Sequence, residues 1–297
     1  MPTLICCPYC NANHIRPYAA RIRSNFPHHM RTICTRCGLV FANPQATLEE
    51  LELFYQNYYE KGNFSNWKQD VRDWKQRYDT GRISDRRALS ALQRTLVDRG
   101  SGRRWVEIGA GLGKLSYIAS HKGFDVTITD MDNDALAFAR DVMGIQQTHV
   151  GDLSTLQLPT ASFDVAVLNH VLEHVTDLFG TLSTVRELLR PGGTIYIGVP
   201  NIENWGYRLY RLAAFIRGNI PGIVDGMEHT FAFTPTTLRR CLERAGFRVI
   251  SLRTIRKDET LGSLFVTARK RGMHKAVVAL AETLFHTRME CIAVQVP

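Results

Sequence analysis

The sequence predicts an α/β fold in which helices cover both faces of a mainly parallel sheet, preceded by a small cysteine-rich module. Three observations lead to this prediction. Short apolar segments with the length of strands alternate with segments that have helical spacing from residue 104 onward. A glycine-rich turn at 109–113 joins the first of these strands to a helix. Two Cys-x-x-Cys pairs stand near the N-terminus.

Length and composition set the scale of the protein. The chain has 297 residues, of which 44% are hydrophobic, so it can hold one large core and a smaller module. Its net charge of +9 favours approach to anionic molecules, RNA among them, without specifying a fold. No apolar run approaches the roughly 20 residues that cross a bilayer, and the N-terminus lacks the pattern of a secretory signal. We therefore expect a cytoplasmic protein without a membrane span.

The first module, residues 1–45, is predicted to be a zinc ribbon. Four thiolates suit tetrahedral zinc, and two Cys-x-x-Cys turns let the sulfurs converge on one ion. The zinc would be structural, because it replaces the hydrophobic core that so short and polar a segment lacks. The alternatives left open are Cys6 in place of Cys7, and His28 or His29 as a ligand. The expected ligands are Cys7, Cys10, Cys34 and Cys37.

A helical connector is predicted over residues 46–100. Thr47, followed three residues later by Glu50, forms a capping-box pattern, and the apolar residues after it have helical spacing. Aromatic residues concentrate at 55–59 and at 67–78. They are expected either to cover a cofactor pocket or to pack the helices together.

The central domain is predicted over residues 101–270. Its first strand, 104–108, leads into the glycine turn at 109–113, which permits a close approach of the backbone to a ligand. A dinucleotide-binding turn would place its third glycine one position later, where this chain has Lys114. The glycine turn alone therefore indicates only a ligand that contains adenosine.

Later strands place polar residues at their carboxyl ends, where parallel sheets bind ligands. The strand at 124–130 ends at Asp130, whose carboxylate can accept hydrogen bonds from both ribose hydroxyls. Asp152 is expected to receive the amino group of adenine, and Leu153 is expected to pack on the ring. A fourth strand at 163–169 is apolar enough to be buried on both faces.

The remaining predicted elements complete a seven-stranded sheet whose last strand is antiparallel. They are a helix at 178–190, a strand at 194–200, a helix at 235–245 and strands near 248–255 and 263–270. A substrate lid is predicted at 203–230. Residues 271–297 form a C-terminal tail of undetermined role.

Together these segments resemble the class I S-adenosylmethionine-dependent methyltransferases, and in particular their small-molecule branch. The resemblance spans about residues 80–270 and includes the segments 107–113, 169–175 and 245–247. It implies a Rossmann-like, seven-stranded methyltransferase sheet. The segment 37–44 resembles the closing turn of zinc ribbons that precede many bacterial methyltransferase domains. The residues that the resemblance assigns to S-adenosylmethionine are Glu107, Gly109, Ala110, Gly111, Gly113, Asp130, Met131, Asp152, Leu153 and Asn169.

Three histidines are candidates for the base that a neutral oxygen nucleophile requires. A histidine near its ordinary pKa is the simplest such base, and His170, His174 and His229 stand at strand ends or loops. We expect His229, which ends the lid, to be the base, and His174 is the second candidate. A packing or anchoring role is the alternative for both.

The function predicted from these features is methyl transfer to a small-molecule acceptor, such as a hydroxyl of a sugar or polysaccharide precursor. Two alternatives stay open. The first is an RNA methyltransferase that uses the ribbon to bind nucleic acid, although the chain shows neither an Asn-Pro-Pro-Tyr-like element for a flipped base nor basic clusters interleaved with stacking aromatics. The second is a non-enzymatic zinc-ribbon binding protein.

Overall fold

The structure is a computed structural model that describes residues 3–19, 30–56, 58, 66–99, 102–203, 229–255 and 288–296. Of the predicted lid, only residues 203, 229 and 230 lie within these ranges. The strand predicted at 263–270 and the alternative ligands His28 and His29 lie outside them.

Eleven strands occur in the described part of the chain. They are β1 (Ile15–Ala19), β2 (Met30–Cys34), β3 (Val40–Asn43), β4 (Arg104–Ile108), β5 (Asp125–Asp130), β6 (Gln147–Val150), β7 (Phe163–Asn169), β8 (Leu189–Pro200), β9 (Phe231–Ala232), β10 (Phe247–Ile255) and β11 (Arg288–Gln295). Seven of them form one sheet in the order β10-β11-β8-β7-β4-β5-β6. The pairs from β8 to β6 are parallel, whereas β11 is antiparallel to both β8 and β10. The predicted α/β class with a seven-stranded sheet is confirmed.

Helices in the described part of the chain cover this sheet and lead into it. They are α1 (Leu48–Tyr55), α2 (Trp67–Asp79), α3 (Asp85–Ala88), α4 (Ala91–Arg99), α5 (Lys114–His121), α6 (Asn133–Met143), α7 (Leu178–Leu188) and α8 (Pro235–Arg244). The capping box predicted at the start of α1 is present, because Thr47 and Glu50 exchange side-chain and backbone hydrogen bonds. Thr234 caps α8 in the same way, through Thr237.

Both faces of the central strands are buried. Along β4, Trp105 packs into one hydrophobic cluster and Val106 into the other, and along β7 Val165 and Ala166 divide in the same way. A parallel sheet covered by helices on both faces requires this run of apolar residues. The core therefore fixes the carboxyl ends of β4, β5 and β7 on a rigid support.

Two boundaries differ from the sequence prediction. The helix predicted at 178–190 ends at Leu188, and β8 begins at once with Leu189, which pairs with Phe163. The ladder then shifts register and resumes at the pair Val165 and Thr194, so the intervening Pro-Gly-Gly segment bulges out of the strand. The antiparallel last strand is Arg288–Gln295, and the sheet therefore extends past residue 270, where the central domain was predicted to end.

The cysteine-rich module has its own four-stranded sheet, in the order β1-β2-β3-β9. Its last strand comes from the far side of the predicted lid, nearly 200 residues along the chain from β3. Cys7, Leu39 and Phe41 of the module share one buried cluster with Leu238 and Cys241 of α8. The module is therefore packed onto the large domain. No helix in the described ranges combines the length and apolarity that a membrane span requires.

Candidate active site

The glycine turn at the carboxyl end of β4 adopts backbone angles that favour glycine. Gly109 and Gly111 have φ angles of 62° and 52°, which side chains with a Cβ rarely adopt. A Cβ on Gly109 would also lie only 2.5 Å from Cγ2 of Val171. The turn is therefore compact enough to bring backbone N–H groups to the cavity above it.

Asp130, at the end of β5, organises this turn. Its Oδ2 accepts a hydrogen bond from the amide of Gly111 at 2.6 Å, and its Oδ1 accepts one from the amide of Asp132 at 2.9 Å. Burial raises the pKa of Asp130, and these backbone N–H groups act in the opposite direction. A carboxylate has about four lone-pair positions, so Asp130 retains acceptor capacity for the hydroxyls of a ligand.

Glu107, on β4, is a buried carboxyl group beside the same turn. Its Oε2 accepts hydrogen bonds from both the amide and the hydroxyl of Ser116 in α5. Burial raises the pKa of Glu107 to about 7, although the bonds from Ser116 oppose this rise. A group with this pKa exchanges a proton near neutral pH and responds strongly to a positive charge placed beside it.

One cavity of about 410 Å³ lies over the carboxyl ends of β4, β5 and β7. It brings together most of the residues predicted to bind S-adenosylmethionine, together with one predicted catalytic residue: Glu107, Gly109, Ala110, Gly111, Asp130, Met131, Asp152, Leu153, Asn169 and His174. Gly113 and His229 are not among the residues that line it. Gly113 instead is the N-cap residue of α5, and a Cβ there would lie 2.9 Å from Cδ1 of Ile145. The close packing around this position therefore favours glycine.

Asp152 and Leu153 also line this cavity. Oδ1 of Asp152 accepts hydrogen bonds from the amide and hydroxyl of Ser154, whereas Oδ2 accepts none from the described residues. Leu153 is buried beside it. An open acceptor next to an apolar surface suits the amino group and the face of a planar heterocycle.

A cluster of histidines around Glu173 lies past the end of β7. The Glu173 side chain is fully buried, and its Oε1 lies 3.2 Å from Nδ1 of His170 and 3.8 Å from Nε2 of His174. The ring of His229 packs edge-on against that of His174, with 4.7 Å between centroids. Burial raises the pKa of Glu173, but the hydrogen bond from His170 and the charges of all three histidines outweigh this and lower it. Glu173 is therefore an ionised carboxylate surrounded by imidazoles.

The connector supplies residues of the cavity that sequence reasoning did not identify individually. Tyr55 and Tyr58 line the cavity together with Leu48 and Leu51 of α1. The Tyr55 hydroxyl lies 2.7 Å from Nδ1 of His174. The concentration of aromatic residues at 55–59 was the only signal for this contact, and it did not show which ring meets the histidine.

The four predicted metal ligands of the module lie together. All four Sγ atoms are within 4.8 Å of one another, with 3.5 Å between Cys7 and Cys37 and 3.6 Å between Cys10 and Cys34. None of them forms a disulfide. Cys6 points elsewhere, with its Sγ 3.1 Å from Oδ1 of Asn11.

The module and the histidine cluster are joined by backbone hydrogen bonds. The amide of Phe231 donates to the carbonyl of Glu173 at 2.9 Å, and the amide of Ala42 in β3 donates to the carbonyl of Thr230 at 2.7 Å. The buried Arg31 directs Nη1 to the same Thr230 carbonyl, at 3.5 Å. The position of His229 therefore depends on strand pairing with the module.

Comparison with known proteins identifies methyltransferases, both by a family model and by individual relatives. A family model described as a methyltransferase domain matches residues 75–252. The chain is 31% identical over 155 residues to a ubiquinone biosynthesis O-methyltransferase of Aeromonas salmonicida, a match that covers 50% of this chain and 64% of that relative. It is 27% identical over 186 residues to a malonyl-[acyl-carrier protein] O-methyltransferase of Serratia marcescens, covering 59% and 68% of the two chains.

Solved structures share the fold at low sequence identity. A chain from the complex of the Haloferax volcanii Trm112 methyltransferase activator with a methyltransferase superposes with a TM-score of 0.54 at 19% identity, covering 80% of this chain and 99% of that one. The Burkholderia thailandensis 1,6-didemethyltoxoflavin-N1-methyltransferase gives a TM-score of 0.51 at 16% identity, covering 95% and 100%.

Proposed function

The chain belongs to the class I S-adenosylmethionine-dependent methyltransferases, and from this premise we propose that it methylates a hydroxyl oxygen of a small molecule, such as a sugar or polysaccharide precursor. The two curated relatives described above are O-methyltransferases by name. One observation carries the choice of oxygen: a histidine beside a buried carboxylate lines the cavity over the glycine turn.

Different residues of the cavity suit different parts of S-adenosylmethionine. Asp130 would accept the ribose hydroxyls, while Asp152 and Leu153 would hold the adenine. Glu107, whose pKa is raised to about 7, would become fully ionised beside the cationic cofactor. The bound sulfonium supplies an activated methyl group, so the protein mainly has to align an oxygen with it and exclude water.

His174 is the base in this proposal. The ionised Glu173 near Nε2 favours a proton on that nitrogen, which leaves the Nδ1 lone pair facing the hydroxyl of Tyr55 and the cavity. The cofactor, when bound, would supply the methyl group, and the acceptor hydroxyl that takes this group would lose its proton to Nδ1 of His174, directly or through Tyr55. His229, favoured by the sequence, packs against His174 and would orient its ring.

The test of this proposal is transfer of label from methyl-labelled S-adenosylmethionine to a fractionated cell extract. We expect label in the small-molecule fraction and a loss of about 10²- to 10⁴-fold in His174→Asn, with binding of S-adenosylhomocysteine unchanged. His14→Gln, an exposed histidine of the module, is the matched control and should retain full transfer. Label in RNA alone would contradict the acceptor class.

Zinc is the second part of the proposal. With zinc–sulfur bonds of about 2.3 Å, a regular tetrahedron separates its sulfurs by roughly 3.8 Å, and the closest Sγ pairs, at 3.5 and 3.6 Å, are near this value. Burial raises the pKa of Cys7 to about 11, and a cation at the centre of the set would favour its thiolate. We expect one zinc per chain in protein purified without chelator. The Cys34→Ser variant should lose most of this bound zinc. Wild-type protein that is purified without chelator and lacks zinc would contradict this assignment.

A further inference from the structure

Another cavity, of about 380 Å³, lies between α7, α8 and the end of β11. Its lining includes Phe179, Ser183 and Arg186 of α7, Arg244 at the end of α8, and Val296 after β11. None of these residues lines the cavity of the candidate active site. Two positively charged side chains therefore border a concave space that the proposed methyl transfer does not use.

This cavity lies at the edge of the large sheet opposite to the candidate active site. β11 is antiparallel to both β8 and β10, so β10 runs in the same direction as the parallel strands. Gly246, another lining residue, directly precedes β10, and Val296 directly follows β11. The cavity is therefore at the amino ends of the parallel strands, whereas the candidate active site lies over their carboxyl ends.

Arg186 and Arg244 differ from nearby arginines in having no carboxylate at ion-pair distance among the described residues. Arg190, soon after α7, lies 3.0 Å from Asp164, and Arg239 on α8 lies 3.7 Å from Glu243. The side chains of Arg186 and Arg244 are exposed, and the whole chain carries a net charge of +9. The cavity is therefore a place where an anion gains both short-range and long-range attraction.

The Arg244 guanidinium is held against two aromatic rings. It lies 4.8 Å from the ring centre of Phe179 and 5.3 Å from that of Tyr9, and the two rings stack with 6.0 Å between centroids. A guanidinium packed on aromatic rings keeps N–H donors for an anion. Because Tyr9 and Arg244 already contact Phe179, the cavity suits a compact anion better than a nucleobase that needs a ring to stack on.

Arg186 reaches the cavity beside the backbone of Gly246. A Cβ on Gly246 would lie 3.1 Å from Nε of Arg186, and the φ angle of Gly246 is 86°, which side chains with a Cβ rarely adopt. Glycine therefore leaves room for the guanidinium. The hydroxyl of Ser183, which lies 3.5 Å from Oε1 of Glu187, belongs to the same lining and adds a neutral donor.

We propose that Arg186 and Arg244 bind a dianionic phosphate group in this cavity, either inorganic phosphate or the terminal phosphate of an ester. Each guanidinium presents a planar fork of N–H donors that matches two oxygens of a phosphate. Two such forks can address different oxygens of one tetrahedral group, and Ser183 can donate to a further one. The site is a binding site remote from the transfer step, and the phosphate takes no part in that step.

The test is a titration of the full chain with inorganic phosphate, followed by phosphorus NMR at constant ionic strength set with chloride. We expect a saturable site on each chain. Affinity should fall at least about tenfold in Arg186→Gln and in Arg244→Gln, which is the scale of a lost hydrogen bond to a charged group. Arg190→Gln and Arg239→Gln, matched arginines outside the lining, should leave the affinity unchanged.

A parallel titration with methyl phosphate distinguishes the two sources of the group. At about pH 8 both ligands are dianions, so a difference in affinity reflects the space around the phosphate. Equal affinity supports the terminal phosphate of an ester, and tighter binding of inorganic phosphate supports the free ion. Binding of neither ligand would overturn the inference.

Three further results would overturn it. Arg186→Gln carries the decision, because Arg186 is not packed on the module and urea unfolding can verify that this variant is folded. Unchanged affinity in folded Arg186→Gln would show no contact with the phosphate, and equal weakening in all four variants would show general surface charge. Competition between phosphate and S-adenosylhomocysteine would place the anion in the candidate active site. Single-stranded RNA that binds through all four arginines alike would replace the phosphate site by a nucleic-acid surface.

Discussion

The cysteine module and the central sheet support different residues of the same cavity, and they do so by different means. The glycine turn, Asp130 and Glu107 stand on strands buried on both faces by large apolar side chains. The histidine side is attached through β9, a strand of two residues that pairs with β3 of the module. The centre of the module is a set of four thiols. The cofactor side is therefore held by packing within the sheet, whereas the histidine side also depends on strand pairing with the module, which packs on the same buried cluster.

Removing the zinc that we propose for the module should have the largest effect, and this effect should fall on the histidine side only. Structural zinc contributes about 10–16 kcal/mol of apparent binding free energy in small modules. After chelation we expect amide hydrogen exchange to accelerate in β2, β3 and residues 229–233, while β4, β5 and β7 keep their protection. The same exchange increase in the central sheet would break the distinction between the two regions.

Trp105→Ala should have the next largest effect, a loss of stability in the central sheet on the cofactor side. Trp105 is fully buried, packs edge-on against Phe124 and donates its indole N–H to Ser116. Replacing a buried tryptophan by alanine costs about 3–5 kcal/mol, which urea unfolding would measure. Zinc content should stay at one per chain. Loss of zinc in this variant would show that the module cannot hold its metal without an intact sheet.

Glu107→Gln should reveal a stability cost on the cofactor side that depends on pH. The folded-state pKa of about 7 lies above the reference value of 4.5, so the stability from the proton on Glu107 is full below about pH 4.5 and is lost as the pH rises through 7. In the absence of ligand, the free energy of unfolding of the variant should rise relative to that of the wild type as the pH goes from 5 to 8. The expected rise is on the order of 2–3 kcal/mol.

The control for this prediction is Glu52→Gln, an exposed glutamate on α1, which should show no such dependence on pH. Urea unfolding at both pH values measures the difference. A gain for Glu107→Gln that is equal at pH 5 and pH 8 would mean that the Glu107 carboxyl does not titrate as described.

The smallest predicted effect concerns the contact between the two regions. The Arg244 guanidinium lies 5.3 Å from the ring centre of Tyr9 in the module and 4.8 Å from that of Phe179 in α7. An exposed cation–π contact contributes about 0.5–1 kcal/mol. Arg244→Ala should therefore speed exchange in the module by a few-fold, whereas Arg240→Ala on the same helix should not. Equal acceleration of exchange in the two variants would show that the loss of positive charge, and not the cation–π contact, causes the change.

Local patterns predicted the parts of the fold that local forces decide. The strand at 104–108, the helix after Thr234 and the capping box at Thr47 follow from apolar periodicity and from side chains that bond their own backbone. The four cysteines converge as their spacing indicates. The residues around Asp130 gather because the carboxyl ends of parallel strands meet at one edge of the sheet.

Long-range pairing decided the parts that the sequence did not predict. The strand β11 lies in the segment that was predicted to be a tail of undetermined role, and its contacts with β8 identify it as a strand of the sheet. The two residues of β9 are too few to show a period. The contact between Tyr55 and His174 joins residues 119 positions apart, so no local pattern could reveal it.

Equilibrium binding of labelled S-adenosylmethionine tests the central claim most directly, which is that the cavity over β4, β5 and β7 holds this molecule. We predict one site per wild-type chain, affinity lower by at least about tenfold in Asp130→Ala, where a charge-assisted acceptor is lost, and unchanged affinity in Asp141→Ala, an exposed aspartate of α6. Full affinity in folded Asp130→Ala would contradict the account.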